Sequence, residues 1–122
     1  MTESLFFDTY AFVEMYKGNN SYKKYGEYDI ITTKLNIFEI YMAILRENDE
    51  KGAEKLFSNY YPFAHDFNEE IIKEAVKLKI KINKRDVSMT DCIGYTLAKQ
   101  LGIKFLTGDS QFIDLENVEF VK

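Results

Sequence analysis

The sequence predicts an α/β fold of three layers, a parallel sheet of about five short strands covered by helices on both faces. Three observations lead there. Short apolar runs alternate with longer segments of helical period, the order that parallel strands joined by crossover helices require. With 122 residues, 46% of them hydrophobic, and nine Tyr and ten Phe, the chain can fill its own core. One proline, Pro62, and no Gly/Ser-rich stretch or internal repeat mark no boundary, so residues 1–122 are read as a single domain.

Each element has its own local reason. Leu5-Phe6-Phe7-Asp8 is an apolar run ending in an acid, as a buried strand reaching the edge of a sheet does. Thr9 to Lys17 carries Tyr10, Val13 and Tyr16 at helical spacing and stops at Gly18-Asn19-Asn20. Tyr28 to Thr32 reads as a second strand. A helix follows from about Leu35 to Asn48, with Leu35, Phe38, Met42 and Leu45 recurring at three and four, and Ile37, Tyr41 and Ile44 beside them. Asp49 to Tyr60 reads as a helix with Ala53, Leu56 and Phe57 on one face, and Tyr61-Pro62-Phe63-Ala64 as a short third strand. Asn68 caps a helix through Lys79, in which Glu69 and Glu70 favour the positive end. Ser88 opens a helix to Leu101 that Gly102 terminates. Ile103 to Thr107 and Val118 to Val121 complete the strands.

Composition removes several classes of function. One cysteine, Cys92, excludes an internal disulfide, and one histidine, His65, excludes a multi-His or Cys/His metal site. No apolar run approaches the ~20 residues that span a bilayer, and the start of the chain lacks the basic and apolar regions of a signal peptide, so the expected location is cytoplasmic. Sixteen Lys and Arg against twenty Asp and Glu give a net charge of -4, which argues against a broad basic face on nucleic acid. A metal-dependent nuclease remains compatible, because it must gather carboxylates around its cations.

The predicted topology gathers four of them. Ligands of open α/β sheets bind beyond the C-terminal ends of the strands. Asp8 ends the first strand and Asp109 follows the strand at 103–107, while Glu39 and Asp91 lie near the starts of helices that begin at the same edge. At an effective dielectric near 20, two carboxylates ~4 Å apart repel by roughly 4 kcal/mol, so a cation must join them. An all-oxygen donor set suits Mg²⁺ or Mn²⁺, and such ions activate water for attack on a phosphodiester.

In this order the acidic blocks resemble those of the PIN-domain ribonucleases, and the length resembles the stand-alone VapC-type toxins of toxin–antitoxin pairs. Leu5-Phe6-Phe7-Asp8-Thr9 resembles the family's opening strand and Asp-Thr, and Asn36-Ile37-Phe38-Glu39-Ile40 the segment carrying its helical Glu. Ser88-Met89-Thr90-Asp91-Cys92-Ile93 is similar to its Ser-x-x-Asp-Ala helix start, and Leu106-Thr107-Gly108-Asp109-Ser110-Gln111-Phe112 to its Leu-Thr-x-Asp-x-x-Phe block. The resemblance implies a PIN-like sheet and a Mg²⁺- or Mn²⁺-dependent endoribonuclease with Asp8, Glu39, Asp91 and Asp109 around the ion and Thr107 as a supporting hydroxyl. It also implies an RNA substrate, a homodimer and a small antitoxin partner. Two positions depart from the pattern: Tyr10 stands where the family often has a small polar residue, and Cys92 replaces Ala.

Each residue also has a plainer reading. Asp8 is a natural N-cap, Ser88-x-x-Asp91 is a near variant of the capping box, Glu39 could be an exposed helical Glu, and Asp109 suits a turn. Lys77, Lys79, Lys81, Lys84 and Arg85 could steer RNA, but a run of this kind more often solvates the end of a helix. Tyr16, Tyr22, Tyr25 and Tyr28 could stack on bases, with core or dimer packing the plainer role. His65 and Cys92 are read as structural. An aspartyl-phosphate hydrolase would carry Asp-x-Asp, but position 10 is Tyr; a receiver domain would need an acidic pair and a late strand-end Lys; and no glycine-rich nucleotide motif occurs. The remaining alternative is a PIN-like module that binds RNA or protein without cutting.

Overall fold

In the computed structural model, residues 3–122 are described. Four parallel strands, β1 (Ser4–Phe7), β2 (Asp29–Ile31), β3 (Lys104–Thr107) and β4 (Val118–Phe120), lie in the order β2-β1-β3-β4. Five α-helices surround them: α1 (Thr9–Tyr16), α2 (Lys34–Leu45), α3 (Glu50–Tyr60), α4 (Glu69–Lys81) and α5 (Met89–Leu101). No helix among the described residues is long and apolar enough to cross a membrane.

Strand alternation divides the core into two layers. Leu5 and Phe7 of β1 and Leu106 of β3 point to one face, where they meet Phe12, Ile40, Ile44, Ala53 and Leu56 from α1, α2 and α3. Phe6 and Phe105 point to the other, against Ala75 of α4, Ala98 of α5 and Phe112. Gly94 lets α5 close on that face: a β-carbon there would stand 2.7 Å from Phe6 Cε1 and 3.3 Å from Phe105 Cε1. Gly102 ends α5 in the left-handed conformation at φ 71°, as a C-terminal glycine does.

The sheet has four strands rather than five. The segment read as the third strand forms a 3₁₀ turn over Tyr61–Phe63, with Ala64 making one isolated bridge to Thr32. Pro62 is the physical reason: it has no N–H to donate to a ladder, and its fixed φ suits the first turn of a helix. A second 3₁₀ helix, Asn20–Glu27, was not foreseen, and it carries Tyr22 and Tyr25 into the core at 1% and 2% exposure. For those two tyrosines, packing is therefore the role. The buried side of α2 also differs from the expected one. Ile37, Ile40 and Ile44 face the core, while Phe38, Met42 and Leu45 are exposed. A helix apolar around most of its circumference does not announce which stripe it will bury.

Candidate active site

Three helices begin at the C-terminal edge of the sheet, and each starts with a side chain that caps it. Asp8 follows β1 directly and caps α1, its Oδ1 accepting a hydrogen bond from the Ala11 N–H at 2.8 Å. Thr33 follows β2 and caps α2 by accepting from the Asn36 N–H. Ser88 caps α5 in a reciprocal box: the Asp91 N–H donates to Ser88 Oγ at 3.1 Å, and the Ser88 N–H donates to Asp91 Oδ2 at 3.0 Å. Asp109 lies just beyond β3 and accepts from the Gln111 N–H at 3.0 Å, opening a short 3₁₀ turn. The capping and turn roles of Asp8, Asp91 and Asp109 are thus real. They use one oxygen of each carboxylate.

Asp8 is the most deeply placed, at 2% exposure. Burial pushes its carboxyl up to about 8; the Thr107 hydroxyl and the Ala11 N–H favour the anion, and the charges of Asp91 and Asp109 disfavour it. Burial also raises the Asp91 carboxyl, with the charges of Glu39 and Asp109 adding to the effect. Asp8, Asp91 and Asp109 thus act on one another, and Glu39 acts on Asp91. No Lys, Arg or His among the described residues forms an ion pair with any of them. The side chains share a crevice rather than a ready coordination sphere: among the described residues, no three His, Cys, Asp or Glu groups are gathered closely enough to hold an ion as placed. The chemistry of the donor set, all carboxylate and hydroxyl oxygen around an anion short of counter-charge, fits a hard divalent cation.

A chain of hydrogen bonds fixes Glu39, and the sequence did not reveal it. Thr33 Oγ1 donates to Asn36 Oδ1 at 2.7 Å, Asn36 Nδ2 donates to Thr9 Oγ1 at 3.2 Å, and Thr9 Oγ1 donates to Glu39 Oε1 at 2.6 Å. The direction is dictated from its end, because a carboxylate can only accept. Thr33 and Asn36 are fully buried, so this relay is anchored in the core and reaches outward to a half-buried acid. The only sequence signals were Thr9 beside Asp8 and Asn36 one helical turn before Glu39. Thr107, fully buried, also accepts from the Asp109 N–H at 3.0 Å and so links Asp8 to Asp109.

The other candidates lie in structural roles. Lys79 donates to the Val87 carbonyl, Lys77 pairs with Glu74 at 3.3 Å, and Arg85 forks onto Asp114. His65 is tied through its backbone N–H to Thr32 O, and Cys92 is fully buried, with its thiol pushed up by burial.

The PIN domain family model matches residues 5–118. Among solved structures, a toxin–antitoxin complex from Klebsiella pneumoniae is similar at 15% identity, covering 94% of this chain and 95% of that one with a TM-score of 0.75. The protein PAE2754 from Pyrobaculum aerophilum is similar at 15% identity over 99% of this chain and 92% of that one, with a TM-score of 0.72. No curated protein sequence matches the chain.

Proposed function

The chain belongs to the PIN-domain family, whose members are generally nucleases, and on that premise we propose that it is a Mg²⁺- or Mn²⁺-dependent endoribonuclease of the cytoplasm and the toxin of a toxin–antitoxin pair. The observation that carries this reading is that Asp8, buried without a basic partner at the C-terminal end of β1, has its carboxyl pushed up to about 8 by burial, with the charges of Asp91 and Asp109 adding to the rise.

In this reading Asp8, Glu39, Asp91 and Asp109 would hold the ion, with Thr107 in support. A bound divalent cation supplies charge neutralisation at the phosphate and makes water a better nucleophile at neutral pH. The protein's own part is positional. Asp8 would have to be anionic to hold an ion, and the Thr107 hydroxyl favours that anion. Thr9 keeps one Glu39 oxygen engaged so that the carboxylate holds a single orientation. One carboxylate of the group orients the attacking water in line with the scissile bond and accepts its proton.

An antitoxin partner is supported by the fold likeness to the Klebsiella complex together with the apolar side chains Phe38, Met42 and Leu45 that α2 leaves exposed. Self-association into a homodimer belongs to the same reading.

The test is cleavage of single-stranded RNA by the purified chain in Mn²⁺ and in EDTA, beside Asp8→Asn. Asparagine keeps the N-cap of α1 and removes only the charge. We expect cleavage in Mn²⁺ alone and a loss of roughly 100-fold or more in the variant. RNA left intact in Mn²⁺ by a protein that still binds the ion and the RNA would select the non-cutting module instead.

A further inference from the structure

Tyr10 is the second residue of α1, and it turns away from the side taken by its neighbour. Thr9 reaches across to Glu39 on α2, while the Tyr10 ring lies over Gly108, between Thr107 and Asp109. A β-carbon at 108 would stand 2.7 Å from Tyr10 Cζ, closer still to Cε1, and against the Val121 carbonyl oxygen. Gly108 has no left-handed backbone to explain it, so its lack of a side chain makes room for both the ring and the Val121 carbonyl. The two residues are in contact at the C-terminal end of β3. Tyr10 lies two residues after Asp8, and its ring covers the residue that precedes Asp109.

The hydroxyl behaves unlike most others in this protein. Tyr16, Tyr22, Tyr25, Tyr41 and Tyr95 each donate to a carboxylate or carbonyl. Tyr10 forms no such bond among the described residues, and no buried side-chain oxygen there lacks a partner. Its hydroxyl therefore keeps some contact with solvent, on a ring that is half-buried against the core. A partly exposed aromatic ring with an uncommitted hydroxyl, next to the acids, matches an unpaired nucleobase, which offers a flat face to stack on and polar edges to read.

We propose that Tyr10, seated on Gly108 beside Asp8 and Asp109, contacts the nucleobase next to the bond to be cut and sets which nucleotide is accepted there. This inference rests on the endoribonuclease reading and adds to it a specificity residue.

The experiment digests a randomised single-stranded RNA pool in MnCl₂ with wild type, Tyr10→Leu, Tyr10→Phe and Gly108→Ala, sequences the new ends, and measures kcat, KM and Mn²⁺ affinity. For Tyr10→Leu we expect KM to rise about tenfold, the preferred nucleotide at the cut site to change, and Mn²⁺ affinity to hold. Tyr10→Phe, which restores the ring without the hydroxyl, should bring KM back toward the wild type with weakened discrimination. Gly108→Ala, which displaces the ring, should shift the preference in the direction of Tyr10→Leu. Unchanged KM and cut sites in Tyr10→Leu would overturn the proposal, as would a parallel fall in kcat and Mn²⁺ affinity with the preference intact, which is the signature of packing alone. Should Tyr10→Leu not fold, the ends made by Tyr10→Phe and Gly108→Ala decide the matter, and two wild-type patterns overturn the proposal. A wild-type protein that cuts no RNA overturns the endoribonuclease reading and takes the Tyr10 assignment with it, whereas active enzymes with one shared pattern overturn the assignment alone.

Discussion

Asp114 and Glu116, in the turn before β4, each stand 2.6 Å from a basic group, Arg85 and Lys99, and those partners hold both carboxyls below their ordinary range. Asp8, buried, and Asp91, half-buried, at the C-terminal edge of the same sheet, have no basic partner and are pushed above it. The chain has sixteen Lys and Arg, so cations were available to both groups. The exposed acids are neutralised by the chain itself at little consequence, since exposed pairs contribute little. The acids held in the crevice carry a real cost of burial, offset only by N-caps, the helix N-termini and two hydroxyls. Such an arrangement is what the proposed metal site, with its positive charge brought from outside the chain, would call for.

The largest expected effect that sharpens this contrast is in stability against pH. With EDTA present, folded Asp8 keeps its proton up to about pH 8, while the unfolded chain releases it near the ordinary value of 3.8. Between those values the folded state binds the extra proton, so its stability falls as pH rises, intact below about 4 and lost through pH 8. Asp49, Asp114 and Glu116, with lowered carboxyls, run the other way, gaining stability as pH rises from acid values. The difference between Asp8→Asn and wild type isolates the one group. Urea unfolding should show the variant drawing ahead between pH 4 and pH 8, by an amount on the order of a few kcal/mol. Adding Mn²⁺ should reverse the order, because only the wild type gains from binding the ion. A difference that stays flat across this range would mean that Asp8 is solvated like Asp114.

A smaller effect probes how the crevice acids are aimed. Thr9→Val keeps the shape of the side chain and removes the hydroxyl that donates to Glu39 and accepts from Asn36. Groups that orient a metal-binding carboxylate typically matter by 10- to 100-fold, so calorimetry should find Mn²⁺ affinity reduced by about tenfold, with Thr9→Ser restoring it. Equal affinity in Thr9→Val would leave the relay as part of the fold and nothing more.

The parts legible in the sequence are those whose cause is local. β1 is marked by Leu5-Phe6-Phe7 and β3 by Phe105-Leu106, α5 opens on Ser88-x-x-Asp91 and closes on Gly102, and Asn68 caps α4 through the Ile71 N–H. Asp8 and Asp109 could be assigned to one edge because parallel topology does so for any strand-end residue. What stayed hidden depended on register or on choice of face. Thr9, Asn36 and Glu39 meet across 27 and 30 residues, a contact that no spacing announces. Tyr22 and Tyr25 lie three apart, the period of the 3₁₀ helix that buries them, yet their polar neighbours mask it. Pro62 was the one local signal that pointed away from a strand, and it decided the outcome at 61–64.

The smallest effect belongs to the other side of the contrast and could break it. Arg85 donates to both carboxylate oxygens of Asp114 and to the Gln111 carbonyl, so it ties the segment after α4 to the turn that follows Asp109. If that tie held Asp109 in place, Arg85→Ala would lower Mn²⁺ affinity as Thr9→Val does. Gln111 already meets Asp109 through its own N–H, and Thr107 fixes the Asp109 backbone from the sheet side, so the loop is positioned without the guanidinium. We therefore expect Arg85→Ala to leave Mn²⁺ affinity within about twofold of wild type and to move Tm by no more than about 2 °C, a shift that salt should erase. A tenfold loss of affinity would show that the self-neutralised carboxylates and the crevice form one electrostatic unit.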